Sequence, residues 1–587
     1  MDAVILENVT FNYLGAKEPA LRNLNLRIKQ GEIVGIFGPI GAGKTSLLRC
    51  LNGLIPYEFP GELKGRIIVD GLDVREHTIN ELVRHVGIVL SDPTAQIFSL
   101  SVFDDVSFGP LNMGLPPEKI EERVKWALKV TGLDGLEFRN PRELSGGQQQ
   151  RLAIAGLLAM RPKILALDEP ISMLDPIGKR SVLSAIQELR DKHGLTCIIT
   201  ESGTDLESVI GILDRVVLID KGRVLLDDSP ANAFTYNYEI FDKIGVGLPE
   251  LVKIFAECIK QEENIHIPLT IDEAAELLEK FLEKFPVEYY RGKKEASKYA
   301  SISREIQDNH IRRRPVISVR NLTFVYPNGV KALDNVNLDI YEGEMVGLIG
   351  QNGSGKTTLA LNLVGVLKPT NPDAKIIVNG IDVVKSQVED LCSHINYVFQ
   401  NPDHQLFSKN VVEELSFGLK MKGLATSDIK ERISEVLKTL DLEGHENDMI
   451  INLTKDLKTL VAIASLLVLK PKVLIVDEPT NGLDYQGAIH VMNVLSELRR
   501  EGHTIIVIMH HMKLIAKYCD RVIVMKDGKI LLDGPVHEVF MHEKELEEAA
   551  LTPPPTVLLA RKIKAIPDNV LTPEVVIPII KEMMGEA

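Results

Sequence analysis

The chain has 587 residues, of which 45% are hydrophobic and 25% are charged, and its formal net charge is −15. This is the composition of an ordinary globular protein, long enough for about four domains of roughly 150 residues, and its acidic balance argues against nucleic acid as the main partner. The five cysteines are scattered without a CxxC pair, which disfavours a zinc or iron–sulfur site and suits a reducing compartment.

The sequence predicts no membrane-spanning segment. The longest nearly apolar run, residues 460–469, is far shorter than the roughly 20 residues needed to cross a bilayer. The start of the chain carries an acid at Asp2 and no basic run, so it does not read as a signal peptide. We therefore expect that the chain does not cross a membrane by itself.

Several motifs occur twice, in the same order and at a nearly constant offset. GPIGAGKT at Gly38 returns as GQNGSGKT at Gly350, and LALDEP at Leu165 returns as LIVDEP at Leu474. Such a pattern indicates a tandem duplication. Fully apolar strands alternate with helical segments in both copies, which predicts an α/β fold with a mostly parallel sheet covered on both faces. We place the first domain at 1–235, a helical appendage and linker at 236–314, the second domain at 315–545, and a C-terminal helical appendage at 546–587.

Each GxxxxGK[ST] segment follows an apolar strand and is typical of a phosphate-binding loop. Its glycines let backbone N–H groups wrap the phosphates, its lysine reaches the β- and γ-phosphates, and its hydroxyl is offered to Mg²⁺. The candidate binding residues are Gly38, Gly41, Gly43, Lys44, Thr45 and Ser46 in the first copy, and Gly350, Gly353, Gly355, Lys356, Thr357 and Thr358 in the second.

Two adjacent acids end a buried strand in each copy. Asp168 and Asp477 are expected to serve the metal together with Thr45 and Thr357, since an isolated buried carboxylate would be costly. Glu169 and Glu478 follow immediately, where they could orient the attacking water or accept its proton.

The stretch LSGGQQQR, residues 144–151, occurs once and opens a predicted helix. Glycines and a helix start favour the close approach of an anion, and Ser145 adds a hydroxyl donor. Taken alone, the string would be interpreted as a serine cap on a buried helix. With a phosphate loop before it and LALDEP after it, however, the order resembles the nucleotide-binding domain of ABC ATPases.

The resemblance implies roles for further residues. It implies that Tyr13 and Tyr326 stack on adenine, although a tyrosine packed in the core remains an alternative. It also implies ATP and Mg²⁺ as cofactors, a metal-side glutamine at Gln400, and a histidine at His510 that contacts the γ-phosphate. The signature residues that would contact ATP are Ser145, Gly146, Gly147 and Gln148.

The two copies depart from the family pattern in different places. The first copy has Ser91 where the second has Gln400, and Ser202 is the best candidate at the position of His510. The second copy reads LTKDL at residues 453–457 where the first has the intact signature. In ABC dimers each ATP lies between the phosphate loop of one copy and the signature of the other. Ser91, Ser202 and LTKDL would therefore meet at one ATP site, and Gln400, His510 and the intact signature would meet at the other. This indicates one hydrolytic site and one site that mainly holds ATP.

Two partner-type loops suggest a subgroup. The segments SDPTAQIF at Ser91 and QNPDHQLF at Gln400, in a twin-domain chain with appended helices, resemble the duplicated ATPase subunit of energy-coupling factor transporters. The resemblance implies a groove for a transmembrane subunit, lined by Asp92, Pro93, Gln96 and Phe98 in one copy and by Asn401, Pro402, Asp403, Gln405 and Phe407 in the other.

This subgroup implies a peripheral protein on the cytoplasmic face of the cell membrane. It would pair its two domains within the chain and drive uptake of a vitamin or metal ion through a coupling subunit and a substrate-binding membrane subunit. One alternative is a soluble twin-domain ABC ATPase acting on ribosomes or nucleic acid, which only the basic cluster at residues 312–314 favours. Another is the ATPase of a sugar- or peptide-type importer. Between the two domains, apolar residues at helical spacing over residues 271–285 predict a helix docked on its own domain.

Overall fold

The structure, a computed structural model, describes residues 1–144, 146–171, 174, 176–258, 266–283, 315–567 and 569–584. It divides into two compact units, one built from Met1–Ala274 and the other from most of residues 275–587. Residues 284 and 285 of the predicted helix and the basic cluster at residues 312–314 lie outside the described residues.

The first unit contains two sheets and the helices that cover them. Its strands are β1 (Asp2–Tyr13), β2 (Leu21–Lys29), β3 (Ile33–Phe37), β4 (Gly61–Val69), β5 (Leu72–Asp73), β6 (Val86–Val89), β7 (Ile164–Asp168), β8 (Thr196–Glu201), β9 (Arg215–Asp220) and β10 (Arg223–Asp228). Its helices are α1 (Lys44–Leu51), α2 (Leu54–Tyr57), α3 (Ile79–Leu82), α4 (Val102–Asn112), α5 (Pro117–Val130), α6 (Gly146–Met160), α7 (Pro176–His193), α8 (Leu206–Ile210), α9 (Pro230–Tyr236), α10 (Tyr238–Ile244) and α11 (Glu250–Cys258). Helix α12 (Ile271–Leu282) begins in the first unit, and from Ala275 onward it is assigned to the second.

The central sheet of the first unit has the order β10-β9-β3-β8-β7-β6, and only β10 runs antiparallel to its neighbour. Strands β3, β7 and β8 are buried along their whole length, which explains their continuous apolar sequences. A second, antiparallel sheet has the order β2-β1-β4-β5. Its strand β2 alternates buried leucines with exposed polar residues because only one face is covered.

The second unit repeats this arrangement. Its strands are β11 (Pro315–Val325), β12 (Lys331–Tyr341), β13 (Met345–Gly350), β14 (Lys375–Val378), β15 (Ile381–Asp382), β16 (Ile395–Val398), β17 (Val473–Asp477), β18 (Thr504–Ile508), β19 (Arg521–Lys526) and β20 (Lys529–Pro535). Its helices are α13 (Lys356–Leu363), α14 (Val388–Leu391), α15 (Val411–Met421), α16 (Thr426–Thr439), α17 (Lys455–Leu467), α18 (Tyr485–Arg500), α19 (Met512–Tyr518), α20 (Val536–Val539), α21 (Glu543–Glu548), α22 (Pro555–Lys562) and α23 (Pro573–Met583).

The strand orders of the second unit, β16-β17-β18-β13-β19-β20 and β12-β11-β14-β15, equal those of the first unit with every number raised by ten. The two sheets of each unit enclose an apolar core, and in the second unit a further core joins the sheet to helices α15 to α18. The α/β fold and the duplication predicted from the sequence are confirmed. The predicted helix at residues 271–285 is present as α12, and its apolar face is buried.

No helix in the described part of the chain is both long enough and apolar enough to span a membrane.

Candidate functional site

The fold brings the predicted motifs of each unit to one edge of the central sheet. In the first unit the phosphate loop leaves β3, Asp168 ends β7, and Ser202 follows β8, which lies between them. These strands are parallel, so their carboxyl ends meet at the same edge, where ligands bind in open α/β sheets. The second unit arranges its loop, Asp477 and His510 in the same way.

The phosphate loops have the backbone that their glycines predict. Gly43 and Gly355, which precede helices α1 and α13, both have φ 104°, and a Cβ there would come within 2.5 Å of a carbonyl oxygen. Only glycine satisfies both requirements. At Gly41 and Gly353 a Cβ would meet nothing within 4 Å, so the loop keeps open space in front of its backbone. This is a cradle that fits a chain of phosphates.

The loop lysines are held by their own loops. Lys44 donates to the carbonyl oxygens of Gly38 at 2.6 Å and Pro39 at 3.0 Å, and Lys356 donates at 2.8 Å to those of Gly350 and Gln351. Burial lowers the pKa of the Lys44 ammonium, against the nearby negative charges of Glu169 and Asp168. A buried ammonium across the loop is suited to an anion in the cradle.

The predicted metal-side aspartate of the first unit is buried and satisfied by two hydroxyl groups. Thr45 donates to Asp168 Oδ2 at 2.7 Å, so the two residues predicted to serve the metal lie together. Thr200, on the neighbouring strand β8, donates to Oδ1 at 2.6 Å. Sequence reasoning missed Thr200, although its register opposite Asp168 in the β7–β8 ladder is the signal that could have found it.

In the second unit, the second hydroxyl donor to the buried Asp477 carboxylate comes from the strand on the other side, β16 instead of β18. Thr357 lies 3.0 Å from Asp477 Oδ2, and the Tyr397 hydroxyl of β16 donates to the same oxygen at 2.5 Å. Burial raises the pKa of Asp477, and it also raises the pKa of Tyr397 well above the ordinary phenol value, so the phenol keeps its proton. Sequence reasoning missed Tyr397 as well.

Among the residues that the structure describes, no group of three or more His, Cys, Asp or Glu side chains could hold a metal ion. One carboxylate and one hydroxyl per site instead fit a Mg²⁺ ion that takes most of its oxygen ligands from phosphates and water.

The catalytic candidates differ between the units. His510 Nε2 lies 3.1 Å from Glu478 Oε1, and both side chains are largely buried. The registers Asp168–Thr200 and Asp477–Ile508 make Ser202, two residues beyond Thr200, the counterpart of His510, two residues beyond Ile508. Both Glu169 and Glu478 have positive φ, 50° and 46°, which turns the chain directly after the buried strand.

Gln400 and Ser91 occupy equivalent exposed positions. Each lies two residues beyond the end of a strand, β16 or β6, that pairs with the strand carrying the metal-side aspartate. Their metal and catalytic roles stay predictions.

The predicted adenine tyrosines are half-buried and lie beside the phosphate-loop helices. The Tyr13 hydroxyl is 2.9 Å from Ser46 Oγ, and the Tyr326 hydroxyl is 3.1 Å from Thr358 Oγ1. Neither ring is packed fully inside the core, so each keeps an accessible surface for a base.

The signature helix α6 begins at Gly146, with Gly147 and Gln148 in its first turn, while Ser145 lies outside the described residues. Gly146 is exposed, and a Cβ there would meet nothing within 4 Å, so packing does not require its glycine. In the second unit the helix begins in the same register with Lys455 and Asp456, which place a side chain at both glycine positions.

One buried carboxyl in the first unit was not anticipated. Glu201, the last residue of β8, is 2% exposed, and its pKa is raised well above 4.5 by burial and by the nearby charge of Glu169. The register predicts Met509, a buried apolar side chain, at the same position of the second unit.

The segments that follow Ser91 and Gln400 each carry an exposed pair of aromatic rings. Phe98 and Phe108 have ring centroids 4.6 Å apart and are 63% and 49% exposed. Phe407 and Phe417 have centroids 4.9 Å apart and are 67% and 49% exposed. Large exposed aromatic rings of this kind mark interaction surfaces.

Buried carboxylates fix these loops. Asp105 accepts the backbone N–H groups of Phe98 and Ser99 at 3.1 and 3.0 Å. Glu414 accepts those of Phe407 and Ser408 at 3.1 and 2.8 Å. Each exposed ring is therefore presented by a pair of charge-assisted bonds.

Gln96 and Gln405, which the resemblance places in a groove, are half-buried and hydrogen-bonded to backbone, so their part in a groove stays a prediction. Gln96 bonds the backbone of Leu90 and Ile88 at 2.8 and 2.9 Å. Gln405 accepts from the N–H of Phe399 at 3.2 Å and donates to the carbonyl oxygen of Ala462 at 2.8 Å. The Gln96 amide thus ties its loop to β6, and the Gln405 amide ties its loop to α17. The prolines predicted beside them, Pro93 and Pro402, are buried.

The sequence matches the family profile described as ABC transporter over residues 21–172 and 333–481, which include both phosphate loops. It is 40% identical over 561 residues to a protein of Caldanaerobacter subterraneus named as an ABC transporter ATP-binding protein, covering 95% of this chain and 96% of the relative. The chain belongs to the ABC transporter ATP-binding family. It is therefore an ATPase with two ABC domains.

Other relatives of this ABC ATPase carry the same description. One from Methanosarcina mazei is 38% identical, covering 96% of this chain and 94% of the relative, and one from Bacillus anthracis is 34% identical, covering 93% of each. A solved structure of cbiO1 from Clostridium perfringens, described as part of the ABC transporter complex cbiONQ, is 37% identical. It covers 40% of this chain and 94% of that chain, with a TM-score of 0.37.

Proposed function

We propose that this ABC ATPase is the energy-coupling subunit of a membrane importer. It would act as a peripheral protein at the cytoplasmic face, driving uptake of a vitamin or metal ion through separate transmembrane subunits. The observation that carries this proposal is the aromatic pair, Phe98–Phe108 and Phe407–Phe417, repeated in both units. An aromatic anchor that is half or more exposed leaves apolar surface for a partner to cover.

The position of the pairs supports a coupling role. Phe98 and Phe407 each lie seven residues beyond the Ser91 or Gln400 position, at the edge of the sheet that carries the metal-side aspartate. A partner that moves this loop would also move the side chain beside the γ-phosphate. Binding and hydrolysis could thus be coupled through one short segment.

The phosphate-loop geometry supports Mg-ATP as the cofactor. Lys44 and Lys356 would hold the phosphates, while Thr45, Asp168, Thr357 and Asp477 would position Mg²⁺. Bound Mg²⁺ would offset the charge that develops on the phosphate oxygens.

We infer that the two sites are unequal. The second unit supplies Gln400 and a glutamate–histidine pair, Glu478–His510, whereas the first supplies Ser91 and Ser202 at the corresponding positions. In the family, the intact signature of the first copy would serve the phosphate loop of the second. The Lys356 site would then hydrolyse ATP, and the Lys44 site would mainly hold it.

Co-purification tests the partner assignment. In detergent extracts of native membranes, the unmodified chain should bring down polytopic membrane proteins. The double variant Phe98→Ser/Phe407→Ser should lose them while keeping ATP hydrolysis. Tyr236→Ser is the matched control, because Tyr236 is 65% exposed but lies on α9, outside the loop of Phe98 and the helix of Phe108.

The same experiment separates the alternatives. Equal recovery of membrane partners with all three proteins would refute the aromatic docking surface. Recovery with ribosomes at moderate salt, without membrane proteins, would favour the nucleic-acid alternative. Identification of a sugar or peptide permease in the extract would favour that importer class.

A further inference from the structure

A cavity of about 460 Å³ opens in the first unit at the amino-terminal edge of its central sheet. Ile164 and Thr196, the first residues of β7 and β8, form part of its floor. The phosphate loop leaves the opposite, carboxyl edge of the same sheet. The cavity is therefore distinct from the nucleotide site, and its volume lies within the range of about 300–1,000 Å³ usual for small-molecule pockets.

The cavity combines an apolar wall with cations. Trp126 of α5 lies beside buried leucines of α6 and α7, and the Arg161 guanidinium stands 5.5 Å from the centroid of its indole ring. His193 meets the same indole edge-on, with centroids 6.4 Å apart. The cavity thus combines a flat aromatic ring with a positive group that lies over it.

The Arg161 guanidinium is weakly paired. Its carboxylate contact, with Glu122, is 3.5 Å long, and the two side chains are 49% and 69% exposed. Exposed pairs of this kind contribute little. Lys163, also in the lining, is held at 2.7 Å by Asp70, so Arg161 is the cation best able to accept an incoming anion.

The second unit provides an internal comparison. Its residues at the positions of Trp126 and Arg161 are Glu435 and Lys470, which form an ion pair at 2.9 Å. The backbone is equivalent, because Arg161 and Lys470 both have positive φ, 56° and 55°. At the same place, therefore, one unit pairs its cation internally and the other sets it against an aromatic ring.

We propose that this cavity binds a small planar aromatic carboxylate. The ring would pack against the Trp126 indole and the adjoining leucines, and the carboxylate would accept hydrogen bonds from the Arg161 guanidinium, whose planar fork matches a carboxylate. The proposal does not depend on which transporter the ATPase serves.

The chain contains a single tryptophan, so its fluorescence reports directly on this cavity. The full-length protein, saturated with Mg-ADP to fill the phosphate loops, would be titrated with benzoate. Cyclohexanecarboxylate tests the need for a flat ring, and benzyl alcohol tests the need for charge. Benzoate should quench the fluorescence saturably, and both analogues should bind more weakly.

Arg161→Asn, chosen because asparagine tolerates positive φ, should weaken benzoate binding about tenfold or more. Lys470→Asn is the matched control in the second unit and should leave the affinity unchanged. Trp126→Glu, which introduces the pairing of the second unit, should abolish the heat of benzoate binding in calorimetry while thermal unfolding confirms an intact fold. Absence of saturable binding, or equal weakening by Arg161→Asn and Lys470→Asn, would overturn the proposal.

Discussion

Replacing Glu478 with glutamine should abolish most of the steady-state ATP hydrolysis, whereas Glu169→Gln should leave most of it. Glu478 lies 3.1 Å from His510 in a largely buried pair, and the amide keeps its size while removing its charge. Loss of one positioned group of this kind typically costs about 10²–10³-fold in rate, or roughly 2.7–4 kcal/mol. The first unit has Ser202 and Ser91 at the positions of His510 and Gln400, so we expect it to contribute little to hydrolysis even with Glu169 in place.

Phosphate release at saturating Mg-ATP measures the effect on turnover, and calorimetric binding of Mg-ADP shows that both variants still fold and bind. Ser145→Arg should resemble Glu478→Gln, because family pairing places the signature of the first copy at the Lys356 site. Equal losses from Glu478→Gln and Glu169→Gln would refute the assignment of unequal sites.

Three other substitutions test the surroundings of these sites. Tyr397→Phe removes a hydroxyl donor from buried Asp477. It should lower the free energy of unfolding by about 1–3 kcal/mol, which a lower Tm would show, and it should weaken Mn²⁺ binding in the presence of ADP. The buried Glu201 carboxyl has a raised pKa, so its contribution to the free energy of unfolding is present below pH 4.5 and lost as pH rises through its folded pKa. Glu201→Gln should remove this pH dependence of stability and raise Tm at neutral pH. An unchanged profile of Tm against pH would contradict the prediction. Glu414→Gln weakens the bonds that hold the loop of Phe407, so it should reduce membrane-partner recovery while ATP hydrolysis persists.

The sequence predicts the strand–loop–helix units well because their chemistry is local. A glycine-rich loop after an apolar strand requires left-handed backbone at Gly43 and Gly355, and the structure has it. The duplication could be read for the same reason, since each motif is recognisable without knowledge of its neighbours. Conversely, Ser145 lies outside the described residues, so its predicted contact with ATP stays a prediction.

The hydrogen bonds of the loop glutamines could not be predicted from motif spacing alone. Gln96 and Gln405 lie in polar segments, yet their amides accept from backbone at the start of the loop and donate to Ile88 of β6 and Ala462 of α17. A buried or half-buried loop backbone needs such partners, and a side-chain amide offers both a donor and an acceptor. Which way the side chain turns depends on the tertiary position of the loop, which motif spacing does not contain.

Asp168 and Asp477, the aspartates predicted to serve the metal, show how two copies of one motif meet the same physical demand differently. A buried carboxylate needs several donors, and the loop threonine supplies only one. The first unit takes its second hydroxyl from Thr200 on β8, and the second unit takes it from Tyr397 on β16, which lies on the other side of the aspartate strand. The positions left over carry Ile508 and Ile88, apolar residues that cannot donate. In sequence, Thr200 facing Ile508 and Tyr397 facing Ile88 look like two unrelated differences between the copies. In the sheet they have one cause, because each buried aspartate takes a second hydroxyl donor from one of its two neighbouring strands. Because a phenol and a threonine hydroxyl differ in reach and rigidity, we expect Asp168 and Asp477 to respond differently to a bound metal ion, which would add to the proposed inequality of the two sites.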